Sequence, residues 1–296
     1  MMMQAKSTMT GAVGPTRVEQ AAIAVLAVLT VAAAAGFAVF GLHPQLIARL
    51  PGAATVYPIA FTVAPQLHMG AAAVALAVLL ISRARARWVP AFLAVYTLSL
   101  GAELLGTTTG VPFGAYAYDR SLAPFWFDHV PVSIPVSWFT VALPAYALAL
   151  RAEGGPASTI LLGAALLTAW DLILDPAMAG ATSYWRWAEP GPYYGMPWIN
   201  LAGWMLTGVA LMAALEGLRA RAWVRDLPRA ALGWIYGLQF LLPMLMAAAA
   251  GYWGAIAAAS VAVLLLGVAS RPPVGTQREA EVAPGPSARS GAGAVA

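Results

Sequence analysis

Residues 170–204 read WDLILDPAMAGATSYWRWAEPGPYYGMPWINLAGW. An apolar run that begins at Thr159 arrives at this stretch and there carries two aspartates, Asp171 and Asp175. A loop crowded with Tyr, Trp, Gly and Pro follows, and a second apolar run leaves with Asn200 at its start. A run of about twenty apolar residues, rising 1.5 Å per residue as a helix, crosses the roughly 30 Å hydrocarbon core of a bilayer. An ionisable residue inside such a run costs several kcal/mol and is usually there for function. The stretch therefore predicts two membrane helices joined by an aromatic loop, with acids at the junction.

The rest of the chain agrees. It is 61% hydrophobic and only 9% charged, against about 25% charged for a soluble domain, and its mean hydropathy is +0.75. Lipid admits only closed helices or barrels, because every backbone polar group must be paired internally. The long unalternating runs favour helices. The fold class is thus all-α, a polytopic helical membrane protein with about eight spans near 21–42, 58–81, 88–106, 132–150, 159–178, 198–217, 231–249 and 252–269. Seven is the lower count, since only Gly251 and Tyr252 part the last two. The chain divides into an N-terminal segment 1–20, a transmembrane domain 21–270, and a tail 271–296 rich in Gly, Pro, Ala and Ser that is expected to be disordered. The first run is too long for the core of a signal peptide and reads as a retained span. The halves do not match in motif order, so no inverted repeat is invoked.

Thirteen of the sixteen Lys and Arg residues fall in alternate connections or at the termini, leaving Arg49, Arg120 and Arg186 on the other side. The excess of basic residues on one side predicts cytoplasmic N- and C-termini in the cell (inner) membrane. Glu103, Asp171, Asp175, Asn200, Gln66 and His68 then share the outer leaflet, beneath two long outer loops, 107–131 and 179–197; Gln239 is a further candidate.

Asp171 and Asp175 are four apart, so they share a helix face. Two acids that close in a medium of low dielectric do not both ionise readily, and a pair that keeps a proton is a Brønsted acid. The plainer alternative is a pair that ends its span at the interface beside Pro176. Seven of the eleven tryptophans lie between Trp126 and Trp204, joined by Tyr116, Tyr118, Tyr184, Tyr193 and Tyr194. Tyr and Trp form interfacial belts, but aromatic faces also bind cations, a carbocation included. The loop GVPFGAYAYD at 110–119 is held by Gly and Pro turns and lacks the Lys-Ser/Thr of a phosphate loop. It reads as a lid or as an ordered connector. His68 sits alone on an apolar face, which reads first as a structural contact to a neighbouring helix, and the three histidines make no metal-ligand pattern. With no cysteine, thiolate chemistry is excluded. No cofactor, no metal and no nucleic acid is expected.

Three ordered blocks, GVPFGAYAY at 110–118, WDLILDP at 170–176 and GPYYGMPWINLAGW at 191–204, make the chain resemble the CruF-type carotenoid 1,2-hydratase / bisanhydrobacterioruberin hydratase family of membrane-integral carotenoid biosynthesis proteins. The likeness covers about residues 90–215. It implies addition of water across the terminal C1=C2 double bond of an acyclic carotenoid end group, as in lycopene, γ-carotene or a C50 precursor, to leave a tertiary alcohol. The implied partners are a carotenoid within the bilayer, water, membrane lipid and other enzymes of the same pathway.

The residues suit that reaction. Asp171 or Asp175 is the expected acid, with the other, or Glu103, orienting water and taking back a proton. Asn200 and His68 are candidates to hold the water; Trp170, Tyr116, Tyr118, Tyr194, Trp198 and Trp204 are candidate substrate-binding rings. Two other readings stand beside it. Asp171-x-x-x-Asp175 is similar to part of the Mg²⁺-diphosphate site of an integral-membrane prenyltransferase, without a second such motif. Intramembrane acids also mark proton-coupled transporters of lipid or pigment.

Overall fold

The computed structural model describes residues 14–152 and 154–269. Most of the N-terminal segment and the tail 271–296, expected to be disordered, lie outside the described residues.

Helix α1 (Arg17–Gly36) opens with a capping box, in which Thr16 and Glu19 satisfy one another's backbone N–H groups. It runs on through a wider turn to Gly41. Helix α2 (Ala53–Ala84) has 32 residues, about 48 Å by rise per residue, and starts earlier than its hydropathy suggests. Helices α3 (Val89–Thr109), α4 (Ser133–Ala149) and α5 (Pro156–Asp175) follow. Pro176 does not stop α5: the chain continues through a wide π-type turn, Pro176–Ala181, where a missing backbone N–H is tolerated. Then come α6 (Trp198–Gly217), a short α7 (Arg221–Val224), α8 (Arg229–Ala249) and α9 (Trp253–Ala269).

Seven of these helices are long and apolar enough to cross a membrane, α4 when taken with the 3-10 turn that carries it on to Ala152, and α9 is a shorter apolar helix of 17 residues. The protein is therefore an all-α, multi-pass membrane protein. Seven of the eight expected spans have that length; α9 follows α8 after the tight Gly251–Tyr252 connection and falls at the short end of what can span.

Helix α4 lies at the centre, 72% buried over its most apolar window. Helix α5 packs on α4, α6, α8 and α9. Gly208 of α6 lets the two backbones approach, since a Cβ there would stand 3.1 Å from Ala164, the small-residue contact typical of membrane helices. The α1–α2 hairpin is bolted at one end by the Arg83 guanidinium, whose Nε donates to Glu19 Oε1 at 2.9 Å and Nη2 to Oε2 at 3.0 Å. At the same end of the bundle Arg221 donates to Glu216 and Thr159, tying α7 to α6 and α5.

The opposite end carries the two aromatic loops. They are sewn together: β1 (Tyr116–Tyr118) pairs antiparallel with β4 (Trp185–Trp187), in the register Tyr116↔Trp187 and Tyr118↔Trp185. A second ribbon joins β2 (Phe125–Trp126) to β3 (Val130–Pro131). Two strands more than sixty residues apart in sequence thus join both connections into one lid.

Candidate active site

Helix α5 delivers Asp171 and Asp175 on one face, one turn apart. Helix α6 brings Asn200 to meet them in its first turn. The Asn200 amide Nδ2 donates to Asp171 Oδ2 at 2.7 Å and to Asp175 Oδ2 at 2.6 Å. Asp171, Asp175 and Asn200 are 0%, 3% and 2% exposed. Because both oxygens bond one nitrogen, they lie at most about 5 Å apart. At an effective dielectric of about 20, two full charges at that separation repel by roughly 3 kcal/mol. Repulsion of that size disfavours ionising both carboxyl groups at once. The Trp185 indole Nε1 donates to Asp175 Oδ1 at 2.8 Å. Asp171 Oδ1 is buried with no hydrogen-bond partner among the described residues.

Glu103, on α3, is satisfied differently. The Trp138 indole donates to its Oε1 at 2.8 Å, while the Tyr118 hydroxyl, at 2.8 Å, and the Tyr116 hydroxyl both donate to Oε2. Three donors and no acceptor is the pattern of an ionised, acceptor-only carboxylate. Burial, then the neighbouring Glu103 charge, push both tyrosine hydroxyls well above the ordinary tyrosine range. They therefore stay protonated and remain donors.

Between these groups lies a chamber of about 40 Å³, room for a water molecule or two. Glu103, Asp175 and Asn200 reach its surface, and Asp171 does not. Its walls are aromatic: Phe113, Trp138, Trp170, Trp185, Trp187 and Trp204. Trp138 and Trp204 stack at 4.0 Å and 18°. Trp170 meets Trp204 edge-on at 5.7 Å, its Nε1 tied to the Gln239 carbonyl. Phe113 plugs the lid end. A Cβ on Gly106 of α3 would stand 2.8 Å from its ring, and one on Gly203 of α6 would stand 2.7 Å away. Both helices thus need glycine there for the lid to seat.

The structure brings together Asp171, Asp175, Glu103, Asn200, Trp170, Trp204, Tyr116 and Tyr118. It places three other expected residues elsewhere. His68 faces Thr30 Oγ1 at 3.1 Å, between α1 and α2. Trp198 is 56% exposed against Tyr193. Tyr194 packs on Tyr252 with ring centroids 4.7 Å apart. Gln66 donates to the lid carbonyls of Ser121 and Ala123, and Gln239 to Thr140. Trp138, Trp185, Trp187 and Phe113 were not singled out by sequence. YAY at 116–118 and WRW at 185–187 do alternate with period two, a strand signal that could have found Trp185 and Trp187. Trp138 sits in an apolar helix and gave no signal. Among the described residues, no three His, Cys, Asp or Glu side chains are grouped to hold a metal ion.

A family described as carotenoid biosynthesis protein matches residues 65–267. The chain belongs to that family. All the chamber residues of this carotenoid biosynthesis protein fall within the match. It is similar to the bisanhydrobacterioruberin hydratase of Haloarcula japonica, 38% identical over 148 residues. The alignment covers 47% of this chain and spans about half (49%) of that relative. No solved structure matches the chain.

Proposed function

We propose that this protein hydrates the terminal C1=C2 double bond of an acyclic carotenoid end group. The observation that carries the reading is the Asp171–Asn200–Asp175 cluster, buried against stacked tryptophans around a chamber of water size. The similarity to a protein named as a hydratase supports it.

Asp175, which reaches the chamber, delivers the shared proton to C2. The π bond's electrons form the new C–H bond and leave a tertiary cation at C1. The ring faces of Trp138, Trp170 and Trp204 and the fixed Glu103 charge stabilise that cation. Water adds its lone pair to C1, and its surplus proton returns to the Asp171–Asp175 pair. One water is consumed, nothing is oxidised or reduced, and the acid is regenerated. Asn200 donates to both carboxyl groups from one nitrogen, so both keep a donor after the shared proton has left and until it returns. Asp171, with Oδ1 free of a protein partner, is the reserve on the far side of the pair. The reading places substrate and site in the leaflet beneath the lid.

The test is expression in a host that makes lycopene, followed by pigment analysis. The expected product is heavier than its substrate by one water. Unchanged lycopene, with the protein intact in the membrane, would overturn the reading. A prenyl-transferring site is less favoured, because no Lys or Arg lines the chamber to meet a diphosphate.

A further inference from the structure

A second cavity, of about 380 Å³, opens beside the chamber. It is a groove between α1 and α2, closed by the end of α5 and by α8; Phe37, Phe40, Phe61, Ala64, Met178 and Met246 typify its apolar wall. Its size is that of a ligand pocket rather than a packing defect. Tyr184 closes the lid side, its hydroxyl tied to the Phe61 carbonyl and its ring stacked on Phe61 at 4.9 Å.

The groove and the chamber share a wall. Tyr118, Leu174 and Trp185 line the chamber, and the same three side chains pack against the cluster of Phe37, Met178, Tyr184 and Leu242 that lines the groove. Met178 lies three residues beyond Asp175, about 5 Å along the chain's axis. One layer of side chains therefore separates an apolar trough from the acid. The chamber alone cannot hold a branched hydrocarbon end as well as water. The family match begins at Pro65, so the chamber falls inside it and the α1 wall outside.

Resting on the proposed hydration, we infer that this groove seats the linear polyene chain of the substrate, whose end group passes over Leu174 to reach Asp175. The occupant is a long, rigid, methyl-bearing hydrocarbon with no polar group. The groove offers it apolar surface along its length and presents no charged side chain. The α1–α2 hairpin thereby selects chain shape, while α3 to α6 carry the chemistry.

The experiment compares purified full-length protein with A33F and A64F, both lining the groove, and with V74F, exposed elsewhere on α2. Each is mixed with lycopene in detergent, and the pigment retained per chain is read by absorbance after gel filtration. Wild-type protein and V74F should retain pigment, whereas A33F and A64F should retain roughly tenfold less and hydrate correspondingly slowly. If all four retain and hydrate lycopene equally, the inference fails and the groove holds ordinary lipid chains. If retention falls as expected but wild-type protein adds no water, the groove stands and the proposed chemistry fails. A diazirine-bearing polyene applied to unsubstituted protein guards against misfolded variants. Labelling within 29–40 or 53–67 supports the seat; labelling confined to other helices overturns it.

Discussion

Replacing Trp185 by Phe isolates one hydrogen bond of the proposed acid. The indole Nε1 sits 2.8 Å from Asp175 Oδ1, and phenylalanine keeps a ring in the wall but removes the donor. Before proton transfer Asp175 shares a proton with Asp171, so the bond has the ordinary net worth of about 1 kcal/mol. After transfer Asp175 is a carboxylate, and a bond to a charged acceptor is worth about 1.5–3 kcal/mol. The difference, about 0.5–2 kcal/mol, is felt in the transition state and not in substrate binding. It corresponds to a roughly 2–30-fold fall in kcat, with KM little changed because the groove and the ring wall remain. Initial rates of lycopene hydration in proteoliposomes, at several pigment loadings, separate the two constants. A W185F variant with wild-type kcat would refute the role given to Asp175. A variant that loses only KM would shift Trp185 to substrate binding.

Other substitutions probe the surrounding construction. N200L leaves two buried carboxyl groups without their common donor, at about 1–3 kcal/mol for each unsatisfied group; a lower thermal midpoint and a loss of product are expected together. E103Q turns an amide N–H toward one of the three donors now held by Glu103, so the lid should loosen. Trypsin should then cut faster at Arg120 or Arg186, both exposed, with the helical core intact. G203A inserts a Cβ 2.7 Å from the Phe113 ring and from the Pro112 carbonyl, displacing the plug; activity should fall more than membrane content does. Treatment with a chelator should leave hydration unchanged, whereas dependence on Mg²⁺ would favour the prenyl-transfer alternative.

The spans and the acid pair were legible because both are local signals. Hydropathy locates helices within a few residues, and a four-residue spacing puts Asp171 and Asp175 on one face whatever surrounds them. Partners were less legible. His68 was readable as a contact to a neighbouring helix, but that its partner is Thr30 of α1 only tertiary packing reveals. Trp198 and Trp204 lie on the same helix, yet one faces outward and the other into the chamber; composition cannot tell a belt tryptophan from a wall tryptophan. The β1–β4 ribbon joins loops that two intervening helices separate in sequence. Pairing of such short strands depends on the bundle that brings them together, not on their own propensity. Glu103 is legible as an acid within a span, but its three donors, Trp138 on α4 and Tyr116 and Tyr118 in the lid, are set by tertiary packing.

The most direct measurement of the central claim follows isotopic oxygen from water in lycopene-producing cells carrying wild-type protein, D171N or D175N. Wild-type cells should yield a tertiary alcohol bearing the heavy oxygen at C1, and both variants should accumulate unmodified lycopene with the protein still in the membrane. Labelled alcohol formed at the wild-type rate by D171N and D175N would contradict the account, as would a wild-type product whose oxygen came from a source other than water.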